Sequence, residues 1–363
     1  MSMSKLILHT NFQAARDQLK RALERPERGR FIFVVGPSGS GKTTMRRIIL
    51  RELVGKPSLW GGGRLPVIEV FALLEQNAYF SSRGLVEGLV EQCFVPDIRW
   101  LYNDRGPYDA SIIQIDREIE NAKAIWENGY RSNEPERRRW QTLQQLMEAR
   151  HIWLACIDQA AALCTNHRNT DPADHILNLM SVIERQNINI LLSGVHGTAA
   201  LWAERPEVRR RSDIIWVCPY TDRRKEDRDP FISLLQSLAQ RFTLSKPNLL
   251  LEMVHDLMAA SAGIYGVLEK ILTDASAKAT GEGRAALIKR DIEASFYGNR
   301  DLNKLWDDVH LFEEAKRSDM VGNRAEQVAK RWGISTPKRS RAKAPDVDAE
   351  IQVDAETQDG QEK

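Results

Sequence analysis

Five short apolar runs recur along the chain: Phe31 to Val35, Leu65 to Phe71, Ile152 to Ile157, Ile188 to Leu192 and Ile214 to Val217. Each is continuous rather than alternating, as in strands covered on both faces, and helical stretches separate them. The pattern predicts a parallel α/β sheet. Ahead of the first run, residues 11–24 place Phe12, Ala15, Leu19, Ala22 and Leu23 at helical spacing, with Asn11 set as the N-cap. Between the second and third runs lies a long stretch of mixed helical character, including the polar segment Trp126 to Arg139, read as an insertion at about 73–150.

From Pro230 the periodicity changes. Phe231, Leu234, Leu235, Leu238 and Phe242 fall on one helical face, Leu250, Val254, Leu257 and Met258 on another, and Ile264, Val267, Leu268, Ile271 and Leu272 on a third. The expected organisation is an α/β domain over 1–229, a small all-helical domain over 230–298 and a helical extension over 299–333, read from Leu302 to Trp332. A tail over 334–363 opens with the basic cluster Lys338, Arg339, Arg341 and Lys343. Its 346–362 stretch has seven acidic residues and no basic one, a composition that predicts disorder.

Composition narrows the classes only a little. With 363 residues, 42% hydrophobic and 28% charged, the chain can bury one large core and a smaller one. A net charge of +2 means that nucleic acid would be met by local basic patches, not a global field. Cys93, Cys156, Cys164 and Cys218 show no paired metal spacing and read as reduced thiols. No signal core and no long apolar span is present, so a soluble cytoplasmic protein with no membrane partner is expected.

The chemistry begins directly behind the first run. Gly36-Pro37-Ser38-Gly39-Ser40-Gly41-Lys42-Thr43, followed by Thr44, is a phosphate-binding loop. Its glycines let successive N–H groups face a polyphosphate, and the helix opening near Lys42 adds a partial positive charge. Lys42 is expected to neutralise β/γ-phosphate oxygens and Thr43 to ligate Mg²⁺, so ATP and Mg²⁺ are the expected cofactors. The third run ends at Asp158, the candidate for the metal's acidic partner. Where a carboxylate would polarise the attacking water stands Gln159, whose amide orients water and takes no proton, so hydrolysis is expected to be slow. The fourth run leads into Ser193, the candidate γ-phosphate sensor, with Thr198 next and His196 read as a loop histidine lacking a carboxylate partner. Arg209, Arg210 and Arg211 precede the fifth run; Arg210 and Arg211 are candidates to act on a neighbouring subunit's nucleotide. No Asn-Lys-x-Asp guanine reader and no Leu-Ser-Gly-Gly-Gln signature occurs, which disfavours GTPases and transporter-type ATPases.

Taken together, strand, phosphate loop, Asp158, sensor position, arginines and helical domain resemble the AAA+ ATPases. Within them, the helix NFQAARDQLKRAL before FIFVVGPSGSGKTT, the segments INILLSGVHGTAALW and PEVRRRSDIIWVCPY, and the lid from FISLLQSLAQRF to SAGIYGVLEKILTDA resemble the TnsC and TniB target-selection subunits of bacterial transposons, with MuB more distant. The resemblance spans roughly residues 10–298. It implies an AAA+ P-loop NTPase with a parallel five-stranded sheet and a small helical lid. It also implies assembly with ATP into a homo-oligomeric ring or helical filament on double-stranded DNA, recruitment of a transposase and contact with targeting proteins. An AAA+ loader or initiator for another DNA process, such as replication, is the alternative. Arg99, Arg131, Arg137, Arg138 and Arg139, with Tyr102 and Tyr130 nearby, are the candidate DNA contacts. Two departures stand out: Gln159 for the expected glutamate, and a lid segment Gly263-Ile264-Tyr265-Gly266 whose nearest following cation is Lys270 in place of a second-sensor arginine.

Overall fold

A computed structural model describes residues 7–72, 74, 79–101, 110–129, 134–165, 174–203, 205–222 and 224–319. The remaining tail, and the part of the expected extension beyond Asp319, lie outside the described residues. The chain runs α1 (Thr10–Glu24), β1 (Phe31–Val35), α2 (Lys42–Val54), β2 (Val67–Phe71), α3 (Ser82–Phe94), α4 (Ala110–Gly129), α5 (Glu136–Ala149) and β3 (Leu154–Asp158). It continues through α6 (Asp174–Gln186), β4 (Asn189–Gly194), α7 (Ala200–Ala203), α8 (Pro206–Arg210) and β5 (Ser212–Trp216). Helices α9 (Lys225–Ala239), α10 (Leu249–Glu252), α11 (Val254–Ser261), α12 (Tyr265–Gly281), α13 (Lys289–Glu293) and α14 (Asn299–Asp319) complete it.

All five apolar runs are strands, each displaced by no more than two residues at its start; the two leading residues of the second and third runs lie ahead of their strands. They form one parallel sheet in the order β2-β3-β4-β1-β5. Every residue of β1, β3 and β4 is buried, which is why these segments show no alternation. Fully burying side chains such as Phe31, Ile32 and Phe33 contributes about 1.5–3 kcal/mol each. On α2, Met45, Ile49 and Leu50 face the sheet; on α3 and α5, Leu85, Val86, Leu89, Leu143 and Met147 join the same core.

A second core belongs to the C-terminal helices and centres on Phe231, Leu235, Leu250, Leu257, Leu268 and Ile271. Helix α9 begins at Lys225, so the helical region starts ahead of Pro230, which sits inside the helix. Helix α14 joins both cores: Val309 enters the helical cluster and Phe312 the sheet cluster, where its ring meets Trp216 edge-on at 5.5 Å.

Helix α1 starts differently from the sequence expectation. The N-cap residue is His9, and the Asn11 side chain instead donates to the carbonyls of Cys218 and Pro219, tying α1 to the exit of β5. The His9 ring is buried, stacks on Tyr265 at 5.2 Å and shares a 3.0 Å hydrogen bond with the Tyr220 hydroxyl. Burial pushes its pKa down to about 4. The unfolded chain therefore takes up a proton below about 6.5 that the folded ring refuses until about 4. Stability present above the unfolded value should fall across that window by up to about 3 kcal/mol. His9→Phe should flatten the curve of melting temperature against pH between 6.5 and 4; an unchanged slope would remove His9 as its source.

Candidate nucleotide site

The loop between β1 and α2 folds back on itself because Gly39 and Gly41 adopt φ of 80° and 86°, a region open to glycine at no steric cost. At Gly41 the Phe12 ring of α1 also closes the space a side chain would need. Gly36, Pro37 and Ser40 are buried within the loop; Ser38, Gly39 and Thr44 are exposed. With the α2 N-terminus behind it, the loop presents a concentration of N–H groups to an anion. The Ser40 hydroxyl is buried without a hydrogen-bond partner among the described residues. The Lys42 ammonium donates to the Gly36 and Pro37 carbonyls at 2.8 Å each. Burial pushes Lys42 down to about 8, against the pull of the Asp158 and Asp308 carboxylates.

A cleft of about 490 Å³ opens over the loop, lined by Ser38, Gly39, Lys42, Thr43, Asp158 and Gln159 among others. Thr43 Oγ1 donates to Asp158 Oδ2 at 2.9 Å, bringing a neutral hydroxyl and a carboxylate together at the cleft floor. That hard-oxygen pair beside a lysine and a helix N-terminus fits Mg²⁺ with a polyphosphate. Gln159 is exposed at the mouth in a left-handed conformation, φ 56°, and its N–H donates to Asp158 Oδ1.

Beneath the cleft lies a charged network. Parallel register pairs Glu69 with Cys156 and Cys156 with Leu191. Residues two apart share a face, so Glu69, Asp158 and Ser193 look out from three adjacent strands toward α2. Arg46 of α2, with no exposed surface, spans them: it pairs with Glu69, donates to Ser193 Oγ at 2.9 Å and lies 3.2 Å from Asp158 Oδ2. Arg47 adds a second contact to Glu69 at 3.2 Å. Burial raises the Asp158 pKa, but Arg46, Ser193, the Gln159 N–H and Thr43 together bring it below the ordinary carboxylate value.

The network places Ser193 beneath the cleft floor. Its hydroxyl is fully buried, accepts from Arg46 and donates to Asp158 at 2.7 Å, so it faces the carboxylate and not the cleft. Gly194 and Val195 take the cleft wall instead. Thr198 is buried as well. His196 does have a carboxylate: Asp308 of α14 lies 2.9 Å from its Nδ1, a pairing across 112 positions that spacing alone cannot reveal. Arg46 and Glu69 were also missed, although each breaks an apolar pattern, Arg46 beside Met45, Ile49 and Leu50, and Glu69 inside the second run.

Arg209, Arg210 and Arg211 lie at the opposite end of the sheet from the phosphate loop. Phe31 pairs with Ser212 and Val35 with Trp216, so the arginines precede the strand end that the loop follows, roughly 16 Å away for a five-residue strand. Arg209 pairs with Asp319 and Arg211 with Glu184, while Arg210 is exposed and has no acidic partner among the described residues. Of the expected DNA contacts, Arg137 and Arg138 are exposed on the first turn of α5. Arg139 is buried and tied to Glu87 at 3.2 Å. The Arg99 side chain, Tyr102, Tyr130 and Arg131 lie outside the described residues. All four cysteines are free, and no described helix is long and apolar enough to cross a membrane.

The lid reaches the loop through its backbone. Gly266 N donates to Gly39 O at 3.0 Å, and a Cβ at Gly266 would lie 2.5 Å from that oxygen. Lys270 is exposed and bonded to Asp274, while Arg241 reaches the start of α12, 3.0 Å from Glu269 and 3.4 Å from the Tyr265 hydroxyl.

Residues 24–201 match the profile of the AAA domain family. The chain has an AAA+ P-loop fold. Cdc6p from Pyrobaculum aerophilum superposes with a TM-score of 0.51 at 14% identity, covering 81% of this chain and 68% of that one. The Aeropyrum pernix ORC2 protein, in ADPNP-ADP complexes, gives 0.47 at 16% identity, covering 81% and 70%. Drosophila ORC bound to DNA gives 0.40 at 13%, covering 92% and 87%. No curated protein matches the sequence. In this AAA+ fold the lid contact is directly testable. Gly266→Ala should weaken ATP binding at least about tenfold, a change of ~1.4 kcal/mol, with little change in melting temperature. Unchanged affinity would show that the Gly39 contact is dispensable.

Proposed function

We propose that this AAA+ protein is a nucleotide-gated scaffold: it binds ATP and Mg²⁺, assembles through shared nucleotide sites on duplex DNA, and regulates DNA transposition by marking a target for a transposase. The observation that carries the assembly step is the position of Arg210, exposed and without an acidic partner among the described residues, at the sheet end opposite its own phosphate loop. It is out of range of the nucleotide in its own chain and in place to serve one held by a neighbour. Transposition rests on the sequence resemblance to the TnsC and TniB group. The likeness to the Pyrobaculum Cdc6p is one of fold and does not choose between transposition and a loader or initiator role in replication.

In this reading the loop N–H groups and the α2 N-terminus receive the polyphosphate. The Lys42 ammonium leaves the Gly36 and Pro37 carbonyls to bond the phosphate oxygens. Thr43 and Asp158 would hold Mg²⁺, which supplies charge neutralisation at the phosphates when bound. Gln159, at the cleft mouth, orients water without removing its proton. Turnover is then slow and the ATP-bound assembly long-lived.

Electron microscopy of the protein with duplex DNA in ATP, a non-hydrolysable analogue, ADP and no nucleotide tests the scaffold. Rings or filaments confined to the triphosphate states support it, and single particles in every state reject it. Binding of a purified transposase to the ATP-loaded form separates transposition from the replication reading. Lys42→Ala, which removes charge-assisted bonds, should lower ATP affinity about 100-fold and abolish the assemblies. Normal assembly by that variant would sink nucleotide gating. Gln159→Glu should raise the hydrolysis rate at least about tenfold, within the range of a positioned general base. An unchanged rate would place the limit elsewhere.

A further inference from the structure

The Asp158 carboxylate is bonded by protein donors on every side. An ionised carboxylate offers about four lone-pair sites. Oδ1 accepts from Ser193 Oγ at 2.7 Å and from Gln159 N at 2.9 Å, while Oδ2 accepts from Thr43 Oγ1 at 2.9 Å and lies 3.2 Å from the Arg46 guanidinium. Two of these partners, Thr43 and Gln159, are cleft groups; the other two lie beneath it. Arg46 is itself one of the two lower partners and also donates to the other, Ser193. It is held in turn by Glu69, whose carboxylate is buried on the neighbouring strand.

We infer that Arg46 and Glu69 are positioning residues for Mg²⁺-dependent nucleotide binding: the pair fixes the Asp158 carboxylate so that Oδ2 stays aimed at the Thr43 hydroxyl. A planar guanidinium suits this task because its fork reaches Glu69, Ser193 and Asp158 in fixed directions. A lysine ammonium also has three donors but no rigid planar fork, so it does not hold the three partners in fixed directions. The charge balance is also particular. One buried cation faces two buried carboxylates, Glu69 and Asp158, with Arg47 the second cation at Glu69. Removing Arg46 alone would leave Glu69 buried without its main partner, a change expected to damage the fold itself. The informative variant removes the pair.

The inference rests on the ATP and Mg²⁺ reading, and the test separates the two. Binding of a fluorescent ATP analogue is measured against Mg²⁺ concentration and again in excess EDTA, alongside thermal melting, for the full chain and for Arg46→Met/Glu69→Gln. The double variant should bind the analogue in EDTA as the parent does, yet need about tenfold more Mg²⁺ for half-maximal enhancement, the effect of losing one charge-assisted contact. Arg46→Lys, which keeps the charge and loses the fork, should fall between the two and decides alone if the double variant does not fold. A folded variant with the parent's Mg²⁺ dependence overturns the role of the pair while leaving the site reading intact. A parent chain whose binding ignores Mg²⁺ overturns both.

Discussion

A full positive charge without access to water lies between α2 and the sheet, and the geometry of the nucleotide site depends on it. Arg46 is surrounded by Glu69, Asp158 and Ser193 from three strands, which meet only because the parallel register places them on one face. Burying a charge is costly unless it is paired and hydrogen-bonded, so the arrangement tolerates few alternatives. The helix carrying Lys42 and Thr43 is thereby locked to the strand carrying Asp158. Loop and acid are held in one rigid unit, in which Thr43 meets Asp158 at 2.9 Å.

Around that unit the rest of the chain converges from a distance. The lid touches the loop through a backbone hydrogen bond that admits no side chain at Gly266. Helix α14 returns to the sheet, with Asp308 against His196, Phe312 in the sheet core and Glu313 beside Arg224. Helix α1 adds Phe12 against Gly41 and His9 against Tyr220 and Tyr265. A change in the loop thus meets structural partners from the N-terminal helix and the lid at once.

Much of the fold was legible because it is written in short-range pattern. Continuous apolar runs marked all five strands, and the glycines and Lys42 marked the loop. What spacing could not supply was the partnership of side chains far apart in sequence. Ser193 sits at the strand end where a sensor was expected, but the arginine that turns its hydroxyl inward comes from α2, 147 positions away. The histidine whose sequence neighbours offer no carboxylate finds one on α14. Arg139 stood in a row of three arginines, and only the contact of α5 with α3 shows that it faces Glu87 while Arg137 and Arg138 stay exposed. The clue available earlier was incongruity: a charge at a position where the apolar period demands a hydrophobic residue, as at Arg46 and Glu69, marks a buried pair.

The separation of Arg210 from its own phosphate loop gives any assembly built on shared sites a direction and a count. Under the role proposed for Arg210, a nucleotide is completed only by the next copy, so an open filament of n copies would hold n − 1 complete sites. One end carries an unserved nucleotide and the other an unused arginine. A closed ring holds n. Turnover per copy would then track length and closure, and the two ends of a filament would differ chemically: one holds a nucleotide that no neighbour completes, the other an arginine with no nucleotide to serve.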